Sequence, residues 1–259
     1  MLQTHHPRGA RDPLLIVAPH PDDEVVGAGG LLALELAAGR TVAVVVVTDG
    51  AGAPQAAPRL TPAELVERRR QECRAGLAEL GECEVTFLSS PSASLREPAG
   101  RKRAADGIAA ALLELAPADV FVTAPFEEHM THRLVTRATV EAIRLLPSPG
   151  GMRLWGYPVW GELWGEEGVV RVDIESVVVS KRRAIAAHVS QVTARAYDEG
   201  TLAGNRHDAI FSDTHGLDDA GHVERFLDMS ALVAHPDLDV ADFARSRARA
   251  ELDRLYPSE

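Results

Sequence analysis

The stretch "VAPHPDDEVVGAGG" at residues 17–30 places His20 just ahead of three consecutive acids, Asp22, Asp23 and Glu24, at the end of an apolar run. Adjacent carboxylates repel one another and lose hydration when covered, so the arrangement asks for a cation. A second polar cluster, "PFEEHMTH" at 125–132, closes another apolar run and offers His129 and His132. His20 and Asp23 are three apart, as are His129 and His132, and that spacing at a helix start turns side chains toward one point. Two histidines and one carboxylate, with a position left open for water, form a common catalytic zinc shell. Such a site polarises a carbonyl and prepares water as a nucleophile.

These clusters need elements to carry them. "LLIVAP" at 14–19 and the valine-rich "TVAVVVVTDG" at 41–50 read as buried strands, with "DEVVGAGGLLALELAAG" between them as a helix stopped at Gly39. The alternation continues with a helix through "TPAELVERRRQECRAGLAELG", capped by Thr61, with Pro62 in its first turn and Gly81 as its stop. A strand "CEVTFLS", a helix over 103–116, a strand over 119–125 and a helix over 131–146 follow. This order predicts an α/β fold, a Rossmann-like, mostly parallel sheet with helices on both faces. After "LPSPGG" the chain turns aromatic and glycine-rich, then runs through "VVRVDIESVVVS" into a helix from about Lys181, a pattern that suits antiparallel strands at one edge. Residues 14–259 are expected to form one domain behind a polar arm, 1–13, in which His5 and His6 are surface residues. In an open parallel sheet, ligands gather beyond the carboxyl ends of the strands. Both polar clusters fall there, as does "TDGAG" at 48–52.

Other features have plainer readings. "GAGG" lacks the GxGxxG spacing, and the acids before it would repel a pyrophosphate, so Gly27, Gly29 and Gly30 are assigned to close helix packing. "AHPDLD" at 234–239 imitates the first cluster, yet no apolar strand leads into it and no glycine-rich helix follows. His207, His215 and His222 sit in a polar segment and are assigned to the surface or to a substrate loop. Trp155, Tyr157, Trp160 and Trp164 either fill the core or form one wall of a pocket.

The 259 residues, 46% of them hydrophobic, suffice for one large core. A net charge of -11 repels nucleic acid and anionic membranes and favours a small uncharged or cationic partner. Two cysteines, Cys73 and Cys83, no secretory signal and no bilayer-spanning apolar run argue for a cytoplasmic protein without membrane insertion; homo-oligomerisation is left open.

"PHPDDE" resembles the signature of the LmbE-like, or PIG-L, de-N-acetylase family. "RRQECRAGLAELG" is similar to that family's Arg-x-x-Glu helix, with Arg69 and Glu72 in the matching places. "PADVFVTAPFEEHMTHRLV" resembles its third-ligand segment, and "KRRAIAAHVSQ" at 181–191 its later Lys and His-x-Ser-Gln element. The resemblance implies Zn2+, with Fe2+ as the alternative, held by His20, Asp23 and His132. It also implies Asp22 as general base, His129 as proton donor or oxyanion stabiliser, and Arg69 as a substrate contact. Where the family reads His-Pro-Asp-His, this chain has His129-Met130-Thr131-His132. The aspartate missing there tunes the first histidine, and Glu127 and Glu128 are the acids nearby that could replace it. The chemistry asks for the same roles, since hydrolysis of an unreactive amide needs a base to take the proton of water and an acid to protonate the departing amine. The expected function is zinc-dependent N-deacetylation of an acetylated amino sugar or a related small-molecule amide. The alternatives are an amidase cleaving a glucosamine conjugate and a metal-stabilised sugar-binding protein without turnover.

Overall fold

The computed structural model describes residues 12–53, 59–147, 151–163, 165, 167–211 and 221–255. His5, His6, Trp164 and His215 lie outside the described residues. Among the described residues, seven strands form one sheet: β1 (Leu14–Ala18), β2 (Val42–Thr48), β3 (Glu84–Ser90), β4 (Asp119–Thr123), β5 (Arg153–Tyr157), β6 (Val169–Asp173) and β7 (Val223–Asp228). Their order is β3-β2-β1-β4-β5-β7-β6, parallel except where β7 runs antiparallel to both β5 and β6. The fold is the expected α/β sheet with antiparallel edge strands.

Strand side chains alternate between faces, which divides the core in two. Leu15, Val17, Val45, Val47, Val120 and Val122 meet α3 (Pro98–Leu115) and α4 (Met130–Arg144) on one face. Leu14, Ile16, Val44, Val46 and Phe121 meet α1 (Asp23–Ala37), α2 (Pro62–Ala78) and α5 (Val178–Ala186) on the other. A short helix α6 (Val189–Val192) and then α7 (Tyr197–Phe211) lead into β7, and α8 (Ala231–Ala234) and α9 (Val240–Leu255) close the described chain. The cap expected on α2 is a full capping box: the Thr61 hydroxyl accepts from the Glu64 N–H, and the Glu64 carboxylate accepts from the Thr61 N–H. α3 starts five residues earlier than the pattern suggested, at Pro98, and α4 ends at Arg144 rather than 146.

The glycines of α1 serve packing, as their spacing implied. A Cβ on Gly27 would lie 2.2 Å from Tyr157 Cδ2, and one on Gly30 would lie 2.4 Å from Ile174 Cγ2. α1 departs from the single regular helix expected, because Ala28 (φ -138°, ψ 16°) breaks it. The Gly30 and Leu31 N–H groups beyond the break donate to Glu224 at 2.7 and 2.8 Å, and Glu224 is itself paired with buried Lys181 at 2.6 Å.

From β1 the chain steps outward to β2 and β3, then returns to the other side of β1 for β4 and β5. The crevice between the carboxyl ends of β1 and β4 is therefore the topological switch point, where open α/β sheets bind ligands. The loops that leave those two strands carry both polar clusters.

Candidate metal centre and active site

His20 to Asp23 lie at the β1–α1 junction and Glu127 to His132 at the β4–α4 junction, 112 positions apart in sequence for the two histidines that meet. His20 Nδ1 is 3.0 Å from Asp23 Oδ2, His132 Nε2 is 3.2 Å from the same oxygen, and the two nitrogens are 3.2 Å apart. His20, His129 and His132 each offer a ligand atom, all within 4.8 Å of one another. Tetrahedral nitrogen and oxygen ligands at zinc distances stand about 3.3 Å apart, so the His20, Asp23 and His132 donors fit such an ion as they lie. Burial opposes protonation of His132, but Asp23 and Glu127 outweigh it and raise its pKa to about 10. Burial also opposes ionisation of Asp23, yet His132 and His20 hold that carboxyl well below the usual range. Both shifts describe a cluster that wants positive charge at its centre.

Asp22 stands beside the cluster with its carboxylate turned to Arg69, Oδ1 to Nη2 at 3.0 Å. Its φ of 144° is costly for a residue with a side chain, on the order of 1–3 kcal/mol. The Asp22 N–H is held by Glu24 Oε2 at 3.0 Å. Burial, with Asp23 and Glu24 adding to it against the pull of Arg69, lifts the Asp22 carboxyl to about 8. Arg69 is buried and also donates to the Gly50 and Pro21 carbonyls at 3.0 and 2.9 Å, so its guanidinium ties the Asp22 loop to the segment that follows β2. Its side chain reaches the cleft from the Asp22 side.

His129 caps α4 without a side-chain cap bond, its ring centroid 5.0 Å from that of His20 and 4.8 Å from that of His132. Partial desolvation and the neighbouring histidines lower its pKa to about 4. Toward His129, Glu127 acts through its charge, which raises the histidine's pKa against the larger lowering effects. Its bond goes to His132, with Oε2 2.8 Å from Nδ1, and Glu127 is buried whereas Glu128 is exposed.

The two later motifs of the sequence prove to be halves of one contact. Glu72 on α2 accepts from the Ser190 N–H at 3.0 Å and from its hydroxyl at 2.6 Å. Glu24, which the sequence grouped with the other acids, is fully buried behind them and accepts from the Cys73 thiol at 3.2 Å. Burial raises its pKa to about 7.

A cleft of ≈ 1180 Å³ opens over His20, Asp22, Asp23 and His129. Of the aromatic residues, Trp155 and Tyr157 are core, the Tyr157 hydroxyl donating to the Val17 carbonyl at 2.9 Å. Trp160 is 41% exposed and forms a cleft wall, edge-on to Tyr197 at 5.7 Å and with the Arg195 guanidinium 5.3 Å from its ring. His207 also lines the cleft, whereas His222 pairs with Glu175 at 2.7 Å. His235 of the imitation motif is exposed in a turn whose carbonyls at Leu232 and Leu238 bind Arg144.

Residues 15–143 match PIG-L, described as GlcNAc-PI de-N-acetylase. The chain is 32% identical over 253 residues to 2'-N-acetylparomamine deacetylase of Streptomyces fradiae, a match covering 85% of this chain and 88% of the relative. The protein belongs to the PIG-L family. A 1D-myo-inositol 2-acetamido-2-deoxy-alpha-D-glucopyranoside deacetylase of Nocardioides sp. is 40% identical over 81 residues, 29% of this chain and 27% of that relative's length. In fold, this PIG-L chain is similar to N,N'-diacetylchitobiose deacetylase from Pyrococcus horikoshii (22% identity, 86% of each chain, TM-score 0.71). It is also similar to the 4-carboxy-2-hydroxymuconate hydratase GalB of Pseudomonas putida KT2440 (20% identity, 84% of this chain and 96% of that one, TM-score 0.68). The fold therefore serves more than one reaction, and the choice among them rests on the site. Among the described residues, no helix is long and apolar enough to cross a membrane.

Proposed function

We propose that the protein is a metal-dependent hydrolase that removes the N-acetyl group from an acetylated amino sugar or a related small-molecule amide. The convergence of His20, Asp23 and His132 donors within 3.0–3.2 Å, at the floor of a cleft with the Arg69-paired carboxylate of Asp22 beside them, carries the reading. His20, Asp23 and His132 would hold the ion, and two imidazoles with one carboxylate suit Zn2+, with Fe2+ the alternative. A divalent cation supplies Lewis acidity there, polarising the amide carbonyl and acidifying water. Asp22, too strained to be a passive turn residue and turned away from the donor cluster by Arg69, takes the proton from the attacking water. Arg69 acts chiefly by aiming that carboxylate and meets substrate along the same side. His129, which lines the cleft beside His20 and His132, would protonate the departing amine or steady the oxyanion. Trp160 offers the apolar face of the sugar ring a flat surface.

The test is release of acetate from N-acetylglucosamine glycosides by protein loaded with zinc, with metal content measured alongside. Acetate should form in the loaded protein and cease after chelation. A protein that takes up one ion per chain and binds such glycosides but releases neither acetate nor any other amide product would be the sugar-binding alternative instead.

A further inference from the structure

Glu127 connects two parts of the site that the sequence gives no reason to join. It is 2% exposed, and its carboxylate accepts four hydrogen bonds. Oε2 takes His132 Nδ1 at 2.8 Å and the Trp160 N–H at 3.0 Å. Oε1 takes the Val159 N–H at 2.7 Å and the Gly161 N–H at 3.2 Å. Four donors saturate the roughly four lone-pair sites of a carboxylate. The wall segment 158–163 contains neither helix nor strand, so Glu127 supplies what a sheet ladder would otherwise supply to these three amides. Gly161 packs against the same element, since a Cβ there would lie 2.9 Å from the Phe126 carbonyl.

The bond to His132 also sets a tautomer. With Nδ1–H donated to Glu127, Nε2 is the nitrogen that faces Asp23 and His20, and it becomes a ligand when its proton gives way to a cation. A cation on Nε2 takes the place of the proton there and ties the ring to Asp23 and His20 as well, so the ring and its Nδ1–H bond to Glu127 are held in one geometry. That same carboxylate holds the amides of Val159, Trp160 and Gly161. We infer that Glu127 is a positioning residue coupling the cation site to the Trp160 wall of the cleft, so that filling the site orders the surface against which substrate rests. The inference builds on the metal-holding role of His132 proposed above. It goes beyond that role, since a carboxylate serving the wall alone would be indifferent to the ring.

The experiment needs no substrate. Amide hydrogen exchange of the peptide covering 158–163 is measured in the wild-type protein with and without Zn2+, and zinc affinity is measured by chelator competition. Zinc should slow exchange of the wall amides about tenfold or more in the wild type. Glu127→Gln turns an NH2 group toward two donors, so its zinc affinity should fall by about 10–100-fold, and its wall should exchange fast with or without metal. Metal-free His132→Ala, in which Oε2 loses the ring, should exchange its wall faster than metal-free wild type. If Glu127→Gln does not fold, the wild-type and His132→Ala measurements decide alone. Zinc uptake by the wild type with unchanged wall exchange would overturn the coupling while leaving the metal reading intact. Glu127→Gln with zinc affinity within twofold of wild type would do the same. Absence of any zinc uptake by the wild type would overturn both.

Discussion

Replacing Asp22 with Asn separates catalysis from metal holding, and the structure sets the expected signs. The carboxyl is lifted from 3.8 to about 8, first by burial and then by the charges of Asp23 and Glu24, with Arg69 opposing. An acid whose folded pKa lies above its unfolded one costs nothing below the unfolded value and destabilises the fold progressively as pH rises toward the folded value. At pH 7 the metal-free fold bears a penalty on the order of 4 kcal/mol from this group. Asn removes the ionisation, and the imperfect fit of its amide beside Arg69, which stands 3.0 Å from the carboxyl it replaces, returns part of the gain. A net stabilisation of about 1–3 kcal/mol remains, or roughly 3–8 °C in Tm for a chain of this size. The gain should vanish near pH 4 and shrink in zinc-loaded protein, where the cation favours ionised Asp22. Turnover should move the opposite way, falling about a hundredfold to ten-thousandfold at matched metal content with little change in KM. Thermal melts of chelated protein at pH 4 and 7.5, with steady-state acetate release by the loaded protein, read both effects. Unchanged turnover in metal-replete Asp22→Asn would refute the general-base role. An equal Tm difference at both pH values would refute the burial argument.

His129→Ala should cost turnover less than Asp22→Asn, because an imidazole whose pKa is lowered to about 4 by desolvation and two neighbouring histidines is almost wholly unprotonated near neutrality and has little proton to give. Equal losses in steady-state rate would show that His129 is recharged in the working enzyme. Gly27→Ala drives a methyl group to 2.2 Å from Tyr157 Cδ2, a ring that is fully buried, and should destabilise the fold by about 1–3 kcal/mol in urea titration. An unchanged midpoint would mean that α1 can shift without loss. His235→Ala changes an exposed side chain in a turn held by its backbone and should leave metal content, stability and turnover unaltered; loss of bound metal would place that turn in the site.

The sequence by itself determined which residues could do chemistry and the plan that carries them. Valine-rich runs alternating with capped helices leave a parallel sheet as the way to bury both helix faces and strands, and such a sheet gathers its loops at one edge. His20, Asp22, Asp23, His129 and His132 were legible because ligand-bearing residue types at helix starts, beyond apolar strands, have few structural reasons to cluster. The role of "GAGG" was legible for a similar reason, since a glycine run without phosphate spacing leaves packing.

Pairing between distant segments was decided only in three dimensions. Nothing in the neighbourhood of Glu127 tells which of two histidines it will face. That depends on the angle at which α4 leaves β4, which is set by the packing of Val135, Ala138 and Ala142 against the sheet and α3. The break in α1 at Ala28 is invisible to a periodic reading, because its cost is met by Glu224 from a strand 194 positions away. Trp155 and Trp160 lie five residues apart with the same composition around them, yet one is core and the other cleft wall, since β5 ends at Tyr157 between them. Local sequence specifies residue type and periodicity, whereas the direction a side chain faces across a tertiary gap follows from the relative placement of whole elements.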